Sequence, residues 1–213
     1  MMLLSFTVLG AQPSPQTASP SITFRLRVED LAREPVHAIA LRCHVRIDPR
    51  GRRYTREEQS RLYELFGDPS QWDKSLQLVT MAQTAVMVPS FTGTTECDVV
   101  LPCTYDLEVA SAKYLHAIRE GDVPLVFLFS GMAFRTGLVQ PVPWDREASY
   151  RMPASVWRST MDRFFPGGGW LRVSSDTIDR LQAFRGRQAL VSWDDVIDRL
   201  FAQAEPSVEE EIA

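Results

Sequence analysis

The 213-residue chain is 45% apolar and 23% charged, and its formal net charge at pH 7 is −4. This length is sufficient for a buried core, in one large domain or in one domain with a small appendage. The acidic balance argues against non-specific nucleic-acid binding, which depends on a basic surface, and no segment reaches the ~18 continuous apolar residues of a membrane-spanning helix.

The first nine residues, MMLLSFTVL, are mostly apolar and predict a first β-strand. A secretory signal peptide is the alternative, but no basic residue precedes this segment, and the first one in the chain is Arg25. The Pro- and Ser-rich residues 11–20 predict a surface connector. The three cysteines are odd in number and lack CxxC spacing, which fits a reduced, cytoplasmic protein.

Two segments alternate apolar and polar residues, as strands with one buried face do. Residues 22–28 and 36–47 are therefore predicted strands, and a hairpin through residues 30–35 is the predicted connection. Their inward side chains would be Ile22, Phe24, Leu26, Val28, Ile39, Leu41, Cys43, Val45 and Ile47. The opposite face of the second strand would carry Arg42, His44 and Arg46.

A basic turn, PRGRR at residues 49–53, precedes a predicted helix. Its arginines are candidates for an anion site, but a solvated basic loop is favoured because no Gly-rich phosphate cradle accompanies them. Thr55 and Glu58 have the spacing of a capping box. They predict a short helix that ends at Gly67.

The segment from Pro102 to Arg135 contains a predicted helix followed by an apolar strand. The helix is predicted from residues spaced by four, three and four along one face: Leu107, Ser111, Tyr114 and Ile118. Residues 123–129, VPLVFLF, are apolar on both sides of an extended chain. Met132 and Phe134 continue the side of Val126 and Leu128. We expect such a strand to be covered on both faces, inside a sheet or sandwich.

The end of the chain predicts a separate helical unit. The glycines at 167–169 indicate a break, and residues 170–173 predict a strand. Ser175 and Ser192 are predicted N-caps of two following helices. The acidic residues 205–213 are predicted to be disordered.

The strand–helix–helix order of residues 170–201 is also that of ribbon-helix-helix DNA-binding modules. This segment contains five arginines and five aspartates and is electrically balanced. Because duplex binding depends on neutralising phosphates, packing or dimerisation is favoured, and DNA binding stays an alternative. A homo-oligomer is therefore also left open.

No complete catalytic or metal-binding motif is present in the sequence. His37, His44 and His116 are separated along the chain by distances that match no metal motif. We therefore predict neither a metal nor a cofactor.

One group of residues is a candidate ligand pocket. It consists of polar and aromatic side chains that flank the apolar segments, as pocket residues often do: Thr104, Tyr105, Asp106 and Trp144. Turn capping and hydrogen-bonded core edges are the favoured interpretation of the same residues, and for Trp144 we favour a side chain that covers a sheet edge.

Eight motifs lie between Phe24 and Phe201, and they belong to a resemblance that extends from Leu3 to about Phe201: FRLRV, RRYTREEQSRLYELFG, VPSFTG, LPCTYDLEVASAKYLHA, GDVPLVFLFSG, PVPWDREASYRMP, FPGGGWLRVSSDTIDRL and SWDDVIDRLF. Together they resemble a bacterial domain-of-unknown-function family, whose members are similar to proteins encoded beside uptake nickel–iron hydrogenase genes. The resemblance implies an accessory role, with a hydrogenase subunit or maturation factor as partner. The residues themselves include no cysteine array for an iron–sulfur cluster or for nickel.

The predicted fold is α+β: an antiparallel β-sandwich-like core with inserted helices and a C-terminal strand-helix-helix unit. We expect a core domain at 1–166, the C-terminal unit at 167–204 packed on it, and a tail at 205–213. The expected function is that of a non-enzymatic, cytoplasmic accessory or assembly protein that binds another protein. The alternatives are a small-molecule-binding or enzymatic domain with the pocket above, and a DNA-binding regulator.

Overall fold

A computed structural model describes residues 4–15, 17–103, 109–168 and 173–204. The chain divides into two compact units, Met1–Gly168 and Gly169–Ala213. Within the described residues, no helix combines the length and the apolar content that crossing a membrane requires.

The first unit contains two antiparallel sheets in its described part. Their strands are β1 Leu4–Pro13, β2 Ser21–Asp30, β3 Ala38–Ile47, β4 Val79–Val88, β5 Thr94–Pro102, β6 Asp122–Arg135, β7 Leu138–Pro141 and β8 Glu147–Pro153. The three-stranded sheet has the order β1-β2-β5. The five-stranded sheet has the order β4-β3-β6-β7, and β8 also pairs with β6.

Helices accompany the sheets and form the described part of the second unit. They are α1 Arg56–Phe66, α2 Trp72–Ser75, α3 Val109–Ala117, α4 Ala154–Phe164, α5 Ser175–Arg187 and α6 Trp193–Ala204. Short 3-10 turns lie at Pro49–Gly51 and Pro69–Gln71. The predicted α+β fold with a sandwich-like antiparallel core is confirmed.

The core lies between the two sheets, where aromatic side chains from both meet. Phe6 of β1 stacks on Phe129 of β6 at 4.3 Å between ring centroids. Phe24 of β2 contacts Phe127 edge-to-face at 5.0 Å. These pairs add directional contacts to the burial of the alternating apolar residues.

The predicted hairpin between the second and third strands is wrong. β2 pairs with β1 and β5, whereas β3 pairs with β4 and β6. The chain instead crosses from one sheet to the other after Asp30, so both strands bury their apolar faces in the same core. An alternating pattern fixes which face of a strand is buried, but it does not fix the neighbouring strand.

A buried ion pair fastens this crossover to β6. The Arg135 guanidinium donates from Nη2 to Oδ2 of Asp30 at 3.0 Å, and their side chains are 7% and 0% exposed. Arg135 also pairs with Glu34 at 2.5 Å. The backbone N–H of Glu34 donates to Asp30 Oδ2 at 3.1 Å.

The strand β1 continues beyond its predicted end. Ala11 pairs with Phe24, and Pro13 pairs with Ile22, so residues 11–13 belong to the sheet rather than to the predicted connector. A β-bulge between Val8 and Gly10 shifts the register and lets the strand continue.

The predicted capping box of α1 is confirmed. Thr55 Oγ1 accepts from the Glu58 N–H at 3.2 Å, and Glu58 Oε2 accepts from the Thr55 N–H at 2.9 Å. The helix ends before Gly67, whose φ of 70° suits glycine.

In the second unit, α5 begins one residue earlier than predicted. Ser174, not Ser175, is its N-cap, and Ser174 Oγ accepts from the Thr177 N–H at 3.2 Å. Ser192 Oγ accepts from the Asp195 N–H at 3.0 Å, as predicted for the cap of α6. The predicted strand at 170–173 falls almost entirely outside the described residues, as does the predicted tail at 205–213.

Candidate functional site

Of the four predicted pocket residues, the structure describes only Trp144. Thr104, Tyr105 and Asp106 lie outside the described residues. Trp144 lies in the turn between β7 and β8 and is 91% exposed, so its side chain neither fills a cavity nor covers a sheet edge. The pocket itself stays a prediction.

The side of the five-stranded sheet that faces away from the core is here called the outer face. It differs from the prediction because apolar side chains of β6 are exposed on it. β6 buries Leu125, Phe127 and Phe129 on its inner side. On its outer side, Met132 is 42% exposed and Phe134 is 37% exposed. The prediction that both sides of this strand are covered is therefore wrong for the described residues; an antiparallel sheet needs the core on one face only.

One part of the outer face, here called the apolar end, consists of apolar residues from four strands. Met87, Ala40, Met132 and Pro141 pair in one row across β4, β3, β6 and β7. In the next row Phe134 pairs with Val139. Met87 and Val139 are 61% and 51% exposed, so the two rows present an apolar surface to solvent rather than to the core.

The basic residues of β3 occupy the middle of the outer face. Arg42 pairs in register with Ala85 and Ser130, and His44 pairs with Gln83 and Leu128. A shallow hollow of about 510 Å³, here called the basic hollow, lies at this position. Its lining residues are Arg42, Cys43, His44, Gln83, Thr84, Ala85 and Ser130.

The basic hollow and the apolar end are neighbours. Arg42 follows Ala40 by two residues on the same side of β3, a distance of about 7 Å along a strand. A second hollow of about 230 Å³ joins them, lined by Ala40, Arg42, Ala85 and Met87 among others. A single ligand could therefore contact both parts.

The arginines of the basic turn have structural contacts instead. Arg52 pairs with Glu58 at 2.7 Å, with side chains 10% and 8% exposed, and it donates to the Asp122 carbonyl at 3.0 Å. Its guanidinium lies 5.2 Å from the Tyr54 ring centroid. Arg50 pairs with Asp48 at 3.4 Å. These contacts leave Arg50 and Arg52 tied to neighbouring residues of the turn.

The histidines do not converge. The ring of His37 shares a 2.9 Å hydrogen bond with Thr136 Oγ1, and His116 contacts the Trp157 ring edge-to-face. His44 lies on the outer face. Within the described part of the chain, no three His, Cys, Asp or Glu side chains gather in a group that could hold a metal ion.

The cysteine thiols are buried and free. Burial raises the pKa of Cys43 and of Cys103 to about 12, and it also raises the pKa of Cys97. Because the thiolate is the nucleophile, these groups are unreactive at neutral pH. Their role is to fill the core.

The sequence indicated the basic half of the outer face but not the apolar half. Arg42, His44 and Arg46 were assigned to the solvent side of their strand from alternation alone. Met132 and Phe134 were assigned to a covered side because the run that precedes them is apolar throughout. The outer side of β3 is polar, and β3 pairs with β6 in the same sheet. This polar pattern could have indicated that the outer side of β6 is also open to solvent.

Comparisons with known proteins add a family and distant structural likenesses. A family model described as "Family of unknown function (DUF6084)" matches residues 1–209. No curated protein matches the chain.

Two solved structures illustrate the structural likenesses. A solution structure described as that of a late embryogenesis abundant (LEA) protein is 11% identical, with a TM-score of 0.35, over 71% of this chain and 72% of that one. β-Glucosidase 3B from Thermotoga neapolitana is 7% identical, with a TM-score of 0.26, over 70% of this chain and 17% of that one. Since both TM-scores lie below 0.5, neither likeness carries a functional argument.

Proposed function

The chain belongs to the DUF6084 family of unknown function, and from that premise we propose that it is a non-enzymatic accessory protein that binds another protein through its outer face. The observation that supports this proposal is the apolar end. Met87, Met132, Phe134 and Val139 are each more than a third exposed on one side of one sheet. Clustered apolar exposure of this kind marks interaction sites more often than isolated exposed residues do.

The chemistry of the surface defines the kind of partner. The apolar end lacks charge, while the basic hollow beside it carries Arg42 and His44. A complementary partner presents an apolar segment with acidic groups next to it. A protein surface can supply both at the required spacing.

The resemblance to proteins encoded beside nickel–iron hydrogenase genes suggests which partner to test. We propose a hydrogenase subunit or a maturation factor, in the cytoplasm of a bacterium. The buried free thiols are compatible with a reducing compartment. The accessory role requires no catalytic group on this chain.

Site-specific photo-crosslinking in the source cells tests this proposal. Benzoylphenylalanine replaces Met132 at the apolar end, and in a control it replaces Leu31, which is 59% exposed after β2. With hydrogenase expressed, we expect Met132 adducts that contain a hydrogenase subunit or maturation protein, and no such adduct from the Leu31 position. Equal adducts from both positions, or Met132 adducts without any hydrogenase component, would contradict the proposal.

A further inference from the structure

Arg42 in the basic hollow differs from the arginines of the three-stranded sheet, because no carboxylate among the described residues pairs with it. On the outward side of the three-stranded sheet, Arg25 pairs with Glu96 at 3.1 Å and with Asp98 at 2.9 Å. Arg27 also pairs with Glu96, at 3.0 Å. Each cation there faces a carboxylate on the adjacent strand, so that surface is internally neutralised.

On the outer face of the five-stranded sheet, the matching positions beside β3 are neutral. Ala85 and Ser130 flank Arg42, and Thr80 and Val126 flank Arg46. Neither arginine has a hydrogen-bond or ion-pair partner among the described residues, and the Nε atom of Arg46 is buried without one. The nearest acid in register is Glu147, which lies beyond Leu128 on β8, about 10 Å from His44 by strand spacing.

The lining groups also share one hydrogen-bonding character. The Arg42 guanidinium, the Gln83 amide and the Ser130 hydroxyl can all donate into the basic hollow, and its lining residues include no carboxylate. Three donor groups, one of which is a cation, suit a group with two or more acceptor oxygens and a negative charge.

We propose that the basic hollow binds a carboxylate side chain of the partner, placed beside an apolar anchor that covers the apolar end. This inference rests on the proposed function for the origin of the carboxylate. A guanidinium fork fits a planar carboxylate through two parallel hydrogen bonds. The donors named above belong to side chains, and the backbone of β3 is engaged in pairing with β4 and β6. A tetrahedral phosphate is usually held by a nest of backbone N–H groups, which the paired backbone of β3 does not provide.

Titration of the ¹⁵N-labelled full chain with small probes tests the inference without a partner protein. The probes are N-acetyl-Leu-Glu-amide, its Gln counterpart and inorganic phosphate, followed through the amide signals of Gln83, Ser130 and Met132. We expect the Glu probe to shift all three signals and to bind about fivefold more tightly than the Gln probe, the effect of one partly exposed ion pair.

Two variants assign the effect to the basic hollow. Arg42→Gln is expected to remove the preference for the Glu probe, while Arg25→Gln, on the other sheet, is expected to keep it. Arg42→Lys retains the charge but not the fork, so it should recover only part of the preference. Unchanged dispersion of the remaining amide signals shows that each variant is folded.

The outcomes separate this inference from the proposed function. Equal affinity for the Glu and Gln probes, an unaltered preference in Arg42→Gln, or tighter binding of phosphate than of the Glu probe would each overturn the carboxylate site. A negative titration together with hydrogenase adducts at Met132 would remove the carboxylate site and keep the protein-binding role. A positive titration without such adducts would establish the site and contradict the hydrogenase-binding role.

Discussion

Replacing Arg135 with methionine probes the ion pair that fastens the crossover to β6. Methionine retains much of the length and apolar character of the arginine stem, so the main change is the loss of the cation. The Asp30 side chain is 0% exposed. Among the described residues, its carboxylate would then keep only the hydrogen bond from the Glu34 backbone N–H. Breaking a buried pair by removing one partner costs about 3–5 kcal/mol, because the other charge stays buried.

That loss is measurable by urea unfolding, with fluorescence from the buried Trp72 and Trp157 as the probe. With a denaturant slope of roughly 2 kcal/mol/M, the midpoint should fall by about 1.5–2.5 M. The double variant Asp30→Asn/Arg135→Met removes both charges and should recover at least about half of the loss. As a control, Arg25→Gln breaks an exposed pair and should leave the midpoint nearly unchanged, because water screens both charges.

Two results would refute this reasoning. A midpoint shift below about 0.5 M in Arg135→Met would show that the pair carries little of the stability. A double variant as unstable as Arg135→Met would show that lost packing, rather than an unpaired Asp30 carboxylate, causes the effect.

Three further predictions concern the core and the first helix, each measured by urea unfolding. In Gly131→Ala the new Cβ would lie 2.0 Å from the Ala40 carbonyl oxygen, at a φ of +145°, so we expect the free energy of unfolding to fall by about 3 kcal/mol or more. Gly10→Ala is the control, because a Cβ at Gly10 meets open space and should be tolerated. Equal losses in the two variants would contradict this prediction. Because burial raises the pKa of Cys43 from 9.0 to about 12, its neutral thiol favours folding fully below pH 9, and this contribution is lost as the pH rises to about 12. Cys43→Ala should therefore reduce the alkaline loss of stability by about 1.4 kcal/mol per pH unit above pH 9, and parallel pH profiles for the two proteins would rule this out. Thr55→Ala removes one half of the capping box and should cost about 1 kcal/mol, so an unchanged midpoint would mean that α1 does not depend on its cap.

Features that depend on neighbouring residues were predictable from the sequence. The alternation in β2 and β3 identified their buried faces, and the spacing of Thr55 and Glu58 identified the start of α1. These patterns arise from strand pleating and from the first turn of a helix, so they need no knowledge of distant residues.

Features that depend on strand pairing were not predictable in the same way. The prediction of a hairpin after Asp30 was wrong because two amphipathic strands can bury their apolar sides in one core from opposite sheets as well as from neighbouring positions in one sheet. Only part of the basic hollow was predictable from the sequence, namely the position of Arg42 on a solvent-facing side of its strand. Its meeting with Gln83 and Ser130 follows from the register across three strands.

The pairing of β3 with β6 also sets the order in which this protein can fold. Ala38 pairs with Phe134 and Ile47 with Leu125, so the centre of the five-stranded sheet joins segments far apart in the chain. During synthesis β3 is complete long before β6 leaves the ribosome, while its buried side remains apolar. Non-local pairing of this kind folds slowly and exposes unpaired strands in the meantime. We therefore expect nascent chains that end before Arg135 to engage chaperones, and chains that extend beyond it to be released.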